Sequence, residues 1–396
     1  YISYYIMFHI KSTNSFIYIL LLILPISFLV GSFFVNLIAT IISIYTLTWI
    51  FKYKKFYVLL KSPYIFFFLL FCILIISSFF SNYKLKSFEN SFSYLSHFLL
   101  FISLTHLLLE NDNRLLKISR IVFIIVIFLC IDLWIQKYTG YSILGYSSQQ
   151  AGRLTSIFKD EQIPGGVIFK LSPFVIYYLM TQKNQNILFQ YKFIILFFIF
   201  FSILITGERA ASILSYLLIF SLILSNINSL DKKKFILYFI LVTVIFSFLY
   251  NHKNSVIKQR FQYTFVQAKD NVYLDFYKNS YNIFKKNPLL GTGAQTYRYE
   301  CPKIDERCST HPHNFILELL ADNGVFSVIL LISGLISLIV FKINKINNRF
   351  HKSLIIIYTI LFFFPIIPTA SFFSSFHMTL TWFSLGFLYS IKKILN

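Results

Sequence analysis

The sequence predicts an all-α, polytopic membrane protein. It has about twelve transmembrane helices and a long non-cytoplasmic loop containing short helices. Three observations carry that fold class. Of 396 residues, 57% are hydrophobic and 13% are charged, against about a quarter charged in soluble domains. Mean hydropathy is +0.69. The apolar residues also fall in runs too long for barrel strands and without period-two alternation.

Along the chain the runs lie near 16–31, 33–51, 64–80, 92–109, 118–135, 165–181, 191–206, 208–225, 235–250, 325–341, 353–368 and 371–391. A spanning helix needs about 20 apolar residues. Phe, Ile and Leu suit helix or strand in a short run, so length decides for helix. Residues 1–190 form an N-terminal set of spans with an outer segment at 136–164. Residues 191–396 form a second domain that includes the long outer loop 251–312. The sequence begins at Tyr1 rather than Met, which is consistent with a start further upstream. No cleavable signal peptide is required, because the first apolar run is one of many.

A net charge of +21 raises the question of nucleic acid. The distribution excludes it, because the basic residues lie between apolar runs and read as topology signals. One set of short loops holds Lys52, Lys54, Lys55 and Lys61, then Arg114, Lys117 and Arg120, then Lys183 and Lys192. The set continues with Lys232 to Lys234, then Lys342, Lys345, Arg349 and Lys352, and ends at Lys392 and Lys393. The alternate loops hold fewer: Lys84, Lys86, Lys137, Arg153, Lys159 and Arg209. The positive-inside rule then places both termini in the cytoplasm and loop 251–312 outside.

Ionisable side chains within spans are costly and therefore informative. Asp132, Lys170, Glu208, Arg209, His97 and His377 all fall near the outer ends of their spans, and only His106 lies toward the cytoplasmic half. Snorkelling of end residues accounts for single cases. The set points to a polar chamber at the outer leaflet, walled by spans 4, 5, 6, 8 and 12 and roofed by the long loop. Glu208 suits a helix start and Arg209 suits it less well. The rigid guanidinium fork of Arg209 suits phosphate.

The segment "HPHNFILELLADNG", 311–324, adjoins that chamber. Phe315, Ile316, Leu319 and Leu320 fall at helical spacing, so a short interfacial helix is expected, ended by Gly324 ahead of the span at 325. Pro312 keeps His311 out of helical geometry. His313 and Asn314 fall at the helix N-terminus, where either can cap, and where free N–H groups attract anions. A neutral His there can serve as general base. Cys301 and Cys308 lie in the same outer loop, where an oxidising compartment favours a disulfide. That pairing ranks above unpaired thiols. Both rank above zinc, since C-x6-C-x2-H-x-H matches no common zinc spacing. Cys72 and Cys130 read as small buried apolar residues.

These residues resemble a family. "HPHNFILELLADNGVFS" is similar to the His-Asn, nine residues, Gly-x-x-Gly signature of the O-antigen ligase and O-antigen polymerase superfamily, with Ser327 at the last glycine. "NPLLGTGAQTYR" (287–298), "TGERAASILSYLLIF" (206–220) and "RLTSIFKDEQIPGGVIFKLSPF" (153–174) resemble further family segments in the same order. The resemblance implies a metal-independent, inverting membrane glycosyltransferase that needs no cofactor. Its donor would be a glycan on undecaprenyl diphosphate. Its acceptor would be a lipid A-core sugar in a ligase, or another lipid-linked repeat unit in a polymerase. The resemblance gives His313 the catalytic role and Arg209, Arg153 and Arg298 the diphosphate. Asn314, His311, Lys170, Glu208, Asp160 and Glu161 would support them. An arginine expected before Pro-x-x-Gly is absent from "NVYLDFYKNSYNIF", which leaves Lys278, Arg260 or Arg298 to replace it.

The implied setting is the bacterial inner membrane, with the site on the periplasmic side and membrane lipids around it. Departure of a lipid diphosphate develops negative charge that fixed cations can stabilise. Hydrolysis by a carboxylate pair is disfavoured, because outer acidic residues are few and scattered. A transporter of lipid-linked glycans is the rival from another class. It would call for internal repeats and a midplane site, and neither is visible.

Overall fold

A computed structural model describes residues 2–107, 112–147, 153–181, 191–225 and 272–391, with further helical positions at 240, 243, 244 and 247. The described residues are helical apart from turns and one isolated bridge between Tyr141 and Ser147. The helices are α1 (Ile2–Val30), α2 (Ser32–Lys52), α3 (Tyr64–Phe80), α4 (Lys84–Leu107), α5 (Asp112–Thr139) and α6 (Pro164–Thr181). They continue with α7 (Lys192–Ile205), α8 (Arg209–Ser225), α9 (Val272–Lys286), α10 (Phe315–Ile343), α11 (Arg349–Phe362) and α12 (Ser375–Ser390). Each expected span except 235–250 coincides with a helix. That span lies outside the described residues but for its few helical positions. Lys183, Lys232 to Lys234, Arg260, Lys392 and Lys393 also lie outside them.

Among the described residues, three helices are long and apolar enough to cross a membrane: Ser32–Lys52, Asn113–Thr139 and Phe315–Ile343. Ser15–Val30, Tyr64–Phe80, Lys192–Ile205 and Arg209–Leu222 are apolar but shorter. The 14 residues of α7 rise only ~21 Å, less than the ~30 Å of hydrocarbon.

Two helix boundaries differ from the sequence reading. The run 353–368 is helical only to Phe362, and the run 371–391 becomes helical only at Ser375. Pro365 and Pro368 explain the first, since proline removes an N–H and clashes with the preceding turn. The resulting non-helical strap, 363–374, carries much of the site.

The core lies along α4 and α12, which pack on each other and gather α2, α3 and α6 around them. Trp382 is fully buried, with Phe67 edge-on at 5.1 Å and Phe101 at 5.5 Å. Phe174 of α6 stacks on Phe387 of α12 at 3.9 Å. The helices of residues 1–190 and 191–396 therefore interleave. A second, small core of Ile283, Tyr297, Cys301 and Ala321 lies between α9 and the start of α10.

Candidate functional site

The segments 153–163 and 287–314 meet the strap at one end of the bundle, and hydrogen bonds show how. Helix α10 is kinked at Gly324, whose φ of 73° and ψ of −177° no L side chain adopts readily. A Cβ there would run into the Leu289 backbone, and one on Gly291 into the backbone of Asp322 and Asn323. The two glycines let "NPLLGTG" cross the kink in backbone contact. The crossing satisfies the groups the kink exposes. Gly293 N donates to Asp322 O at 2.7 Å, and Val325 N to Pro288 O at 2.9 Å. Thus "NPLLGTG" and "HPHNFILELLADNG", two of the four segments that carry the resemblance, clasp each other.

The clasp fixes Arg298. Asp322, fully buried, accepts from Tyr297 N at 2.7 Å, which holds the turn Tyr297–Glu300. Ser87 of α4 accepts from Ala294 N at 2.7 Å, and Ser77 of α3 donates to Leu290 O at 2.6 Å. Cys301 and Cys308 are joined in a disulfide with Cα atoms 5.9 Å apart. That removes both thiols from a Cys–His metal set. Among the described residues no group of three or more His, Cys, Asp or Glu side chains is arranged to hold a metal.

Asn314, not His313, caps α10: its Oδ1 accepts from Ile316 N and Leu317 N, both at 3.1 Å. Its amide donates to Pro365 O at 2.7 Å. His313 precedes the helix with φ of 55°, a left-handed conformation that costs about 1–3 kcal/mol in a side chain of this kind. The strap compensates. Thr369 N donates to His313 O at 2.8 Å, and buried Glu318 accepts from Ser371 Oγ at 2.5 Å and Phe372 N at 2.6 Å.

Two cavities open at this end. The larger, of about 760 Å³, is lined by Arg298, His311, Gln295, Glu89, His97 and His377, with Asn36 and Thr40 of α2 opposite. The smaller, of about 220 Å³, is lined by Lys170, Glu208, Gln162 and again His377. The expected single chamber is thus two, with His377 and part of the strap between them. Helices α4, α6 and α12 contribute as expected, and Glu208 does so from just ahead of α8. Helix α5 does not: its buried Asp132 binds Ile143 N at 2.5 Å and the hydroxyl of Ser156, anchoring loops. Sequence reasoning misses α2, because Asn36 and Thr40 are isolated polar residues in an apolar run.

His311 and Arg298 share the larger cavity. The ring of His313 lies 4.1 Å behind that of His311, centroid to centroid. It packs on Tyr273 at 5.4 Å and Phe276 at 5.9 Å. Both histidines are held toward the neutral form. Burial pushes His311 down to about 4, with His313 and the Arg298 charge adding to the effect. Burial alone lowers His313. The Nε of Arg298 is cut off from solvent without a hydrogen-bond partner.

On the other side, the Arg153 guanidinium binds the side chain of Gln162. Burial lowers Arg153, while nearby Glu208 opposes this, and Arg209 and Tyr273 also act on it. Arg153, Glu208, Arg209 and Tyr273 are therefore neighbours. Tyr273 acts electrostatically on Arg153 and packs on the ring of His313, a link hidden in "NVYLDFYKNSYNIF". Glu208 also supports the fold, accepting from Gly165 N at 2.6 Å and Gly166 N at 3.0 Å and so capping α6. Carboxylates are favoured at that helix end. Gly165 is required there, since a Cβ would lie 2.9 Å from Thr206 Oγ1. Lys170 Nζ donates to His377 O at 3.2 Å. Asp160, Glu161 and Lys278 are exposed and line neither cavity.

Residues 194–332 match the family model described as O-antigen ligase. The match runs from α7 into α10, so it spans the clasp, Arg298 and both histidines and stops short of the strap. It bears out the resemblance to the O-antigen ligase and polymerase superfamily. Members of that family are glycosyltransferase-like enzymes acting on lipid-linked glycans. No curated protein matches the chain.

Proposed function

We propose that this chain, with its O-antigen ligase-type domain, transfers a glycan from undecaprenyl diphosphate to a lipid A-core sugar at the periplasmic face of the bacterial inner membrane. The observation that carries the reading is the shared wall of the 760 Å³ cavity. There a guanidinium with an unpartnered Nε meets an imidazole held neutral. Those are the two requirements of inverting transfer from a diphosphate.

The acceptor hydroxyl gives its proton to the histidine pair. His311 meets it at the cavity wall, and His313 stands behind as the base the family resemblance points to. The hydroxyl oxygen bonds to the anomeric carbon as the carbon–oxygen bond to the diphosphate breaks on the opposite face. The configuration inverts. The departing diphosphate gains charge, which Arg153 and Arg209 stabilise from one side and Arg298 from the other. Lys170, from the small cavity, adds a further positive charge.

The test is complementation. Expressed in cells lacking their O-antigen ligase, the full chain should restore long-chain lipopolysaccharide on a gel. A ladder restored only in polymerase-deficient cells would replace the ligase reading with the polymerase one. No glycan change in either strain, with donor present, overturns both.

A further inference from the structure

A third cavity, of about 880 Å³, lies at the opposite end of the bundle. Its walls come from the start of α3 and the last turns of α4, α10 and α12. Lys61, Lys342, Lys345 and His106 line it together with Tyr64 and Leu338. Among the described residues no carboxylate lines it. The rim lysines are exposed and lean on aromatic rings. Lys345 Nζ lies 3.7 Å above Phe341, and Lys61 Nζ lies 4.6 Å above Tyr57. Lys342 is different, being 6% exposed with its ammonium donating to Tyr389 O at 2.5 Å. The Nε2 of His106 is buried without a hydrogen-bond partner.

Two simpler accounts fall short. A topology signal needs basic residues in a loop, but not an ammonium inside a cavity. Helix C-termini attract cations and account for Lys342 at the end of α12. They do not account for the open volume, or for Lys61 at the N-terminal end of α3. What this arrangement fits is an anion with an apolar body. Ammonium groups hold a phosphate as point charges, and Leu338, Phe341 and Tyr64 offer an apolar wall beside it. Basic pockets between helix ends at a membrane surface suit charged lipid headgroups.

We propose that this cavity binds the phosphate of an anionic glycerophospholipid, whose acyl chains leave along the apolar wall toward the bilayer. Lys61 and Lys345 close over the phosphate and Lys342 fixes its depth.

The experiment uses the full chain in detergent and three probes: short-chain phosphatidylglycerol, phosphatidylcholine of equal chain length, and inorganic phosphate. Phosphatidylglycerol should bind at least about tenfold more tightly than either other probe. Lys61→Ala with Lys345→Ala should weaken it by about tenfold. The corresponding pair of Lys→Arg changes should keep it within about twofold, since charge is retained. Lys52→Ala with Lys54→Ala, on the same face but not lining the cavity, should also leave it unchanged. Equal binding of phosphatidylcholine overturns the proposal, and so does equal weakening by the Lys52 and Lys54 pair. Inorganic phosphate binding as tightly overturns it too, making the site one for free anions. Should the alanine pair fail to fold, a phosphatidylglycerol with a photoactivatable chain decides on the unaltered protein. It should label Leu338 to Ile346, and labelling only elsewhere refutes the site.

Discussion

The two ends of the bundle each hold a large cavity and basic residues, yet they are built differently. At the His311 end the cations are anchored by a frame. Asp322 holds the turn of Arg298, Glu318 holds the strap, and the Gly291–Gly324 crossing holds both to α10. At the Lys61 end two of the three described lysines are exposed on flexible stems, and among the described residues no carboxylate lines the cavity. Chemistry requires groups held within fractions of an ångström. Binding a charged headgroup requires only charge beside an apolar wall. The difference is the ground on which the His311 end is proposed as the one that reacts.

The sharpest way to break this comparison is to remove the proposed proton acceptor. His311→Ala and His313→Ala should each lower glycan transfer by ~10²–10⁴, the range of general acid–base catalysis, with the protein still inserted and folded. Transfer assayed in membranes checks it. A His313→Ala protein with full activity would strip that residue of its role and leave His311 alone.

The frame should matter next. Glu318→Gln keeps one acceptor oxygen but loses a charge that receives two donors from the strap. Breaking such buried, charge-assisted bonds costs about 1–3 kcal/mol. We expect roughly a tenfold fall in turnover with little change in apparent acceptor affinity. Replacing Cys301 and Cys308 by Ser should act more locally. The loop between them is short, so chain entropy predicts a loss of about 2 kcal/mol. Hydrogen exchange should rise across Thr292 to Cys308 and stay unchanged at Trp382. A bundle-wide rise would mean that the small core around Tyr297 is not separate from the large one.

How much of this was legible in the sequence follows from which forces were local. Hydrophobic run length found the helices because burial in hydrocarbon acts on every residue of a run. It overran α11, because Pro365 and Pro368 lie inside an apolar stretch and their backbone effect is invisible to hydropathy. Capping by Asn314 was readable as one of two options, and only tertiary contact with Pro365 chose between them. The roles of Asn36, Thr40 and Tyr273 depend on contacts across the fold, so no local pattern announces them. Glu208 misled in a useful way: it does cap a helix, but α6 rather than its own.

A pH profile separates the ends more gently. The folded His311 lies at about 4 against an ordinary value of 6.5, so its neutral form persists as pH falls. Transfer should stay level from pH 8 to pH 6. An unshifted histidine would by then be only about a quarter neutral. The unfolded chain binds the extra proton first. Stability from this group is therefore complete above pH 6.5 and declines toward pH 4. A fall in rate centred near 6.5 would mean that the catalytic imidazole is exposed.

The smallest effect on catalysis should come from the far end. Lys61→Ala with Lys345→Ala removes two exposed charges that touch no residue of the frame, so transfer in native membranes should stay within about twofold. The same protein should lose its preference for anionic lipid. If transfer instead falls with phosphatidylglycerol binding, and recovers with the Lys→Arg pair, the two cavities are coupled through the helices they share. Helices α3, α4, α10 and α12 reach both ends: each contributes to the wall of the lysine cavity, and each lines the site or hydrogen-bonds its frame. Coupling of that kind would turn a structural lipid site into one that sets the rate. Its absence would leave the comparison as stated: one end fixed for reaction, the other open for binding.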